Sequence, residues 1–129
     1  QRRIFNGGYY KEFPAGSIDL TGENARDAAC QELREELHID VSTEDLIPLT
    51  LDPIPPNPSL TDEEVYFFYF ERSVSLSFLK EMDGRSTGCS DDHEYISVRA
   101  HKMSEVSNML SPSALIGVKL LERKLRRIF

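Results

Sequence analysis

The stretch 16–39, GSIDLTGENARDAACQELREELHI, constrains this chain more than any other part of it. Glu32, Glu35 and Glu36 are spaced i, i+3 and i+4, so on an α-helix the three carboxylates share one face. Like charges at this spacing repel, so the face either stays in solvent or holds a cation. Carboxylate oxygens suit Mg²⁺ or Mn²⁺ better than zinc.

The residues before the three carboxylates indicate a turn followed by a helix. Pro14 and Gly16 end an apolar segment, bend the chain and expose its backbone. Thr21 or Gly22 can begin the helix, with Glu23 in its first turn, where the helix dipole favours an anion. An apolar stripe then follows at helical spacing, formed by Ala25, Ala28, Ala29, Leu33 and Leu37.

This stretch resembles the signature of the Nudix hydrolase family. The positions in register with that signature are Glu23, Glu32, Leu33, Glu35, Glu36 and Ile39. Three positions depart from the pattern: Gly16 lies one residue further from Glu23, Gln31 replaces an arginine, and His38 replaces a glycine. The arginine of the family orients a catalytic carboxylate through charge-assisted bonds, so Gln31 bears on activity. His38 weakens the helix C-terminus, where glycine adopts the left-handed conformation most easily.

The proline-rich segment 52–59 extends the resemblance towards the ADP-sugar and ADP-ribose diphosphatases. Pro55 follows the signature at an offset typical of that branch, and an acidic residue, Glu64, precedes a strongly apolar strand over 65–70. The same residues also fit a stiff surface connection and an ordinary charge at a strand end. We predict a strand over 46–51, at an edge because of Pro48, and a buried central strand over 65–70.

A second acidic segment, 88–94, lies just before a predicted strand over 95–101. Its spacing is similar to the loop that supplies a catalytic carboxylate in the ADP-sugar branch, with Asp92 and Glu94 at the acidic positions. The alternative is a solvated turn. Loops on a rigid scaffold carry catalytic residues and also ordinary surface residues.

The resemblance implies a site built from three kinds of contribution. Glu94, Glu35 and Asp92 would be catalytic. The metal, Mg²⁺ or alternatively Mn²⁺, would be held by the Ala15 carbonyl with Glu32, Glu35 and Glu36. Pro55, Glu64 and Gly16 would bind the substrate.

The remaining chain predicts an α/β fold. Asn6-Gly7-Gly8 reads as a turn between short extended pieces, a helix is predicted over 75–82, and Ser111-Pro112 begins a last helix. We expect one Nudix-type domain over 1–129, an α/β/α sandwich with a mixed sheet. Because the resemblance implies several strands before the signature, part of those N-terminal strands is expected to be lacking.

Composition narrows the function classes. The chain has 22 acidic and 15 basic residues, a net charge of −7, which argues against broad electrostatic binding of nucleic acid. Cys30 and Cys89 lack metal-binding spacing, and Cys30 is expected in the core. With only two cysteines, an intracellular chain with reduced thiols is expected, cytoplasmic or organellar. No apolar run reaches membrane length and no secretory signal is visible, so no membrane contact is expected.

Three hypotheses of function follow. The first is a Mg²⁺-dependent diphosphatase that cleaves ADP-glucose or ADP-ribose to AMP and a sugar phosphate, acting as a homodimer. The second is an RNA 5′-pyrophosphohydrolase. The third is a non-catalytic Nudix module that binds a nucleotide or a protein. Gln31 favours this hypothesis because it replaces the arginine that orients a catalytic carboxylate in the family.

Overall fold

The structure is a computed structural model that describes residues 2–3, 9–18, 22, 24–88, 95–108 and 111–126. Its helices are α1 (Ala25–Leu37), α2 (Leu76–Met82) and α3 (Pro112–Arg126), with a 3₁₀ segment over Met103–Asn108. Its strands are β1 (Arg2–Arg3), β2 (Tyr9–Tyr10), β3 (Ile47–Pro48), β4 (Phe68–Tyr69), β5 (Ser86–Thr87) and β6 (Ile96–Ser97). No helix in these ranges has the length and apolar character needed to cross a bilayer.

The strands form two small antiparallel sheets. One sheet has the order β2-β1-β6-β5, and the other pairs β3 with β4. Arg2 lies opposite both Tyr10 and Ile96, and Thr87 lies opposite Ile96. The α/β class is therefore confirmed. Every pairing among the described residues is antiparallel, so the mixed sheet and the sandwich layering stay predictions.

Helix α1 begins later than the sequence suggested. Its N-cap is Asn24, whose side-chain oxygen accepts from the backbone N–H groups of Arg26 and Asp27 at 3.0 Å each. Gly22 has φ 103°, which is not helical, so the prediction of a start at Thr21 or Gly22 was wrong. Asn24 is the N-cap because its amide oxygen accepts from two N–H groups of the first turn that would otherwise lack partners. Glu23 lies outside the described residues.

Helix α1 ends at Leu37, and His38 is its C-cap residue. His38 follows the helix with φ 55° and ψ 39°, the left-handed conformation that glycine would adopt at least cost. The N–H groups of His38 and Ile39 close the helix on the carbonyls of Arg34 and Leu33 at 3.0 and 3.2 Å.

The core confirms the apolar stripe of α1. Cys30 and Leu33 pack with Val41 and Leu46 in one buried cluster, against which Phe68 and Phe70 also pack. A second cluster joins the 3₁₀ segment to α3 through Val106, Ala114 and Val118. Burying these apolar side chains is the main stabilising contribution of both clusters.

The prediction of a buried central strand over 65–70 was wrong. Only Phe68 and Tyr69 form a strand, β4, and Tyr66 is 44% exposed. Apolar β-formers favour a strand without specifying how many neighbours it acquires. Here the described pairing of β4 is with β3, which contains Pro48 and lacks one donor for further pairing.

The other two helices lie where the sequence predicted them. Ser75 accepts from the Phe78 N–H at 3.1 Å and begins α2, and Ser111 precedes Pro112 at the start of α3. Helix α3 packs on the β3–β4 sheet, where the Lys124 ammonium donates to the Pro48 carbonyl at 2.7 Å. Buried Gly117 lies against the ring of Phe67, whose Cδ1 is 3.4 Å from where a β-carbon would stand.

Candidate functional site

Glu36 is the buried acidic residue of α1. Its residue surface is only 7% exposed, and its Oε2 accepts from the Ala15 N–H at 3.3 Å. Glutamate is rarely buried to this extent without polar or ionic partners, because removing a charge from water is costly. The apolar stripe of α1 turns this face inward, and the turn at Pro14 brings the Ala15 backbone to the carboxylate.

Glu32 lies one helical turn before Glu36 and faces the same loop. Its carboxylate lies where a β-carbon on residue 16 would stand, so any side chain at that position would displace the carboxylate. The predicted site residues Ala15, Gly16, Glu32 and Glu36 are therefore brought together.

Glu35 lies on a different side of the helix. It is exposed, and its Oε1 accepts from the Gln31 amide at 2.8 Å. The structure therefore does not bring Glu35 to the loop that meets Glu32 and Glu36. Gln31, at the family's arginine position, keeps a bond to a neighbouring carboxylate, although the donor is neutral.

The contacts allow a partial test of the predicted metal set. Within the described ranges, no three acidic, histidine or cysteine side chains converge as a metal site. Glu32 and Glu36 supply hard oxygen donors on one side of the loop, and Mg²⁺ commonly uses one or two protein carboxylates and keeps several waters. These two carboxylates fit such an ion. Ala15 contacts Glu36 through its N–H, so the role of the Ala15 carbonyl stays a prediction.

The β5–β6 pair is tied to the same end of α1. The Thr87 hydroxyl donates to the Glu36 carbonyl at 2.6 Å, and Thr87 lies opposite Ile96 in the sheet. The connection between these two strands therefore starts and ends close to Glu36. Asp92 and Glu94 belong to that connection but lie outside the described residues, so their catalytic roles stay predictions.

Pro55 and Glu64 are held near each other by the pairing of their neighbours. Ile54 and Val65 form an antiparallel bridge with N–H···O distances of 2.9 and 3.0 Å, which places the two neighbouring residues at the base of one turn. Both are exposed, and neither lines the cavity that contains Glu36. Their substrate-binding role stays a prediction.

A cavity of about 320 Å³ lies beside Glu36 and Ala15. Its wall includes three basic residues that the sequence analysis did not single out, Lys11, Arg99 and His101. They are far apart in the sequence and belong to no motif, so only the folded chain shows that they share a cavity.

Comparisons with known proteins agree with the geometry of α1. The NUDIX domain family matches residues 1–122. The chain is 33% identical over 106 residues to "Nudix hydrolase 14, chloroplastic" of Arabidopsis thaliana, a match that covers 77% of this chain and 34% of that relative. The chain thus spans about a third of the length of this relative. No solved structure matches. Since the family match covers nearly the whole chain, this chain belongs to the Nudix family.

Proposed function

We propose that this chain hydrolyses the diphosphate bond of ADP-sugars, ADP-glucose or ADP-ribose, to AMP and a sugar phosphate. The observation that carries the proposal is the buried Glu36 carboxylate, held by the Ala15 N–H on the face it shares with Glu32. A carboxylate pair supported by rigid backbone is suited to holding a cation against a diphosphate.

In this proposal, some residues of the chain hold the cation and others accept a proton. Mg²⁺, or alternatively Mn²⁺, would be held by Glu32 and Glu36 and would supply neutralisation of the negative charge on the diphosphate oxygens. The Ala15 N–H fixes the position of Glu36, and Gly16 leaves space for Glu32. Glu94, with Asp92 as second candidate, would accept the proton of the attacking water.

Glu35 has a supporting place in this proposal. Its bond from Gln31 holds both side chains in a fixed arrangement on the outer side of α1. Glu35 would contact a cation or the attacking water only after releasing this bond, and the comparison of variants below separates its role from that of Glu36.

The choice of ADP-sugars rests on the resemblance of two segments to that branch. Pro55 and Glu64 stand at the base of one turn, where a stiff segment and an acidic residue can approach a substrate together. The net charge of −7 favours a small nucleotide substrate over long RNA.

Hydrolysis assays with Mg²⁺ and with Mn²⁺ on ADP-ribose, ADP-glucose and 5′-triphosphate RNA test the proposal. We expect turnover of an ADP-sugar, with products AMP and a sugar phosphate. Turnover of RNA alone would favour the pyrophosphohydrolase, and no turnover of any substrate would favour the binding module.

Glu36→Gln and Glu35→Gln form a matched pair, since both remove one charge from neighbouring positions of α1. We expect Glu36→Gln to lower kcat by more than about tenfold, because an amide is a weaker ligand than a carboxylate. Glu35→Gln should have the smaller effect. Equal losses would show that both carboxylates serve the site, and a fully active Glu36→Gln protein would refute the proposed role of Glu36.

Two further proposals concern the oligomeric state of the protein and its location in the cell. A homodimer is proposed from the resemblance alone, and light scattering of the purified chain measures it. An organellar location is supported by the chloroplastic relative, and imaging of the tagged full-length protein tests it.

A further inference from the structure

The cavity beside Glu36 is lined by parts of the chain that are far apart in sequence. Its wall combines the segment 11–15, the end of α1, α2, the β6 region, the 3₁₀ segment and α3. Its volume of about 320 Å³ is at the lower end of the range of small-molecule sites. A cavity of this size accommodates a nucleoside-sized group.

The wall of this cavity is mostly apolar. Leu79 and Met82 come from α2, Val98 follows β6, and Met103 belongs to the 3₁₀ segment. A sugar requires a partner for each hydroxyl, and burying hydroxyls without partners is costly. A planar base instead gains from contact with apolar side chains and methionine sulfur. The wall chemistry therefore favours the base over the sugar.

Charged residues of both signs also line this cavity. Lys11, Arg99 and His101 contribute basic groups, whereas Glu12 and Glu36 contribute acidic ones. Arg99 packs over Gly84, with Nη1 3.3 Å from where a β-carbon would stand, and His101 Nδ1 lies 3.8 Å from a carboxylate oxygen of Glu105. Lys11 and Arg99 thus supply cationic donors at this cavity, and such donors bind anionic groups through charge-assisted hydrogen bonds.

We propose that this cavity binds the base of the nucleotide half of the substrate, with Lys11 and Arg99 contacting the phosphate attached to it. The proposal rests on the proposed function, because Glu36 joins the cavity to the carboxylate face where the diphosphate would be cleaved. The sugar beyond the second phosphate lies outside the cavity. AMP should therefore bind more tightly than ribose 5-phosphate.

Equilibrium binding of AMP and of ribose 5-phosphate, measured by calorimetry in EDTA, tests this without turnover. Leu79→Trp and Met103→Trp each place a large ring at the cavity from a position that is 39% and 57% exposed, so both should fold. Leu76→Trp is the matched control, because Leu76 lies on α2, is 66% exposed and does not line the cavity.

We expect AMP to bind at least about tenfold more tightly than ribose 5-phosphate. Leu79→Trp and Met103→Trp should each weaken AMP binding by about tenfold and leave ribose 5-phosphate unaffected, whereas Leu76→Trp should change neither. Arg99→Gln should weaken both ligands by a similar factor, because both carry a phosphate, and Arg123→Gln, an exposed residue outside the cavity, should not.

Several results would overturn the proposal. Unchanged AMP affinity in both folded tryptophan variants would place the base elsewhere, and an equal loss for ribose 5-phosphate would assign the cavity to the sugar phosphate. AMP binding that responds to Leu79→Trp, without hydrolysis of any ADP-sugar, would contradict the proposed function alone. Hydrolysis without that response would contradict the cavity proposal alone.

Discussion

The carboxylate of Glu32 occupies the space that a side chain on residue 16 would need, so glycine at this position lets the carboxylate lie directly against the loop. The same loop donates the Ala15 N–H to Glu36, one turn further along α1. Two neighbouring loop residues thus fix two carboxylates of one helix face. The arrangement links the Pro14–Gly16 turn directly to the proposed site of cation binding.

Replacing Gly16 by alanine should lower activity with little effect on stability. The added β-carbon would meet the flexible end of Glu32, which can move away, so the free energy of unfolding should fall by less than about 1 kcal/mol. The displaced carboxylate would hold a cation poorly, and we expect kcat to fall by more than about tenfold. Steady-state hydrolysis of ADP-ribose and urea unfolding measure the two effects.

Ser17→Ala is the control for this substitution, since Ser17 is exposed in the same loop. It should retain both rate and stability. A Gly16→Ala protein with the wild-type rate would show that the position of Glu32 in this structure is not the one used in hydrolysis.

The helical part of the site was predictable because it depends on local spacing. Positions i and i+4 differ by about 40° around a helix, so Glu32 and Glu36 had to share a side. Glu35 and Glu36 differ by about 100°, and only the packing of the loop at Ala15 decides which of them is buried. The sequence could therefore identify the acidic face, but it could not show that Glu36 is buried against the loop while Glu35 is exposed.

The sheets were less predictable because pairing is not a local property. The apolar run at 65–70 indicates a strand, yet its neighbours depend on distant segments, and here β4 pairs with β3. The cavity was not predictable for the same reason, since Lys11 and Arg99 are far apart in the sequence and line one cavity only in the folded chain.

Replacing His38 by glycine should stabilise the protein. His38 is a non-glycine residue at φ 55°, and the left-handed conformation costs an L-residue about 1 kcal/mol or more. Glycine adopts it freely but has more entropy to lose on folding, so a net gain of about 0.5–1 kcal/mol is expected. Urea unfolding measures this gain. His38→Ala, which retains a β-carbon, should be no more stable than wild type, and a less stable His38→Gly protein would contradict the argument.

The buried thiol of Cys30 should make stability fall at alkaline pH. Burial, and secondarily the charge of Asp27, raises the pKa of Cys30 above its ordinary value of 9.0. The unfolded chain therefore loses this proton at lower pH than the folded chain. The contribution to stability is fully present below the unfolded pKa and is lost as the pH rises through the folded pKa.

Urea unfolding between pH 7 and pH 10.5, in a Cys89→Ser background, measures this contribution. The chain with Cys30 should lose stability more steeply above pH 9 than its Cys30→Ala derivative. Parallel curves for the two proteins would show that the Cys30 thiol titrates alike in the folded and unfolded chains.

Lys124 should contribute measurably to the packing of α3 on the β3–β4 sheet. Its ammonium donates to the Pro48 carbonyl at 2.7 Å and lies 5.8 Å from the centre of the Tyr69 ring. Lys124→Met keeps much of the aliphatic stem but leaves that partly buried carbonyl without this donor, so we expect a loss of about 1–2 kcal/mol in the free energy of unfolding.

Arg123→Met tests whether the loss belongs to this contact rather than to positive charge near the end of α3. Arg123 is the neighbouring exposed residue, so both substitutions remove one cation from the last turns of the helix. Its effect should stay within about 0.5 kcal/mol, as for an ordinary surface position. Equal losses in the two variants would assign the effect to the interaction of charge with the helix dipole, and the contact with Pro48 would then contribute nothing of its own.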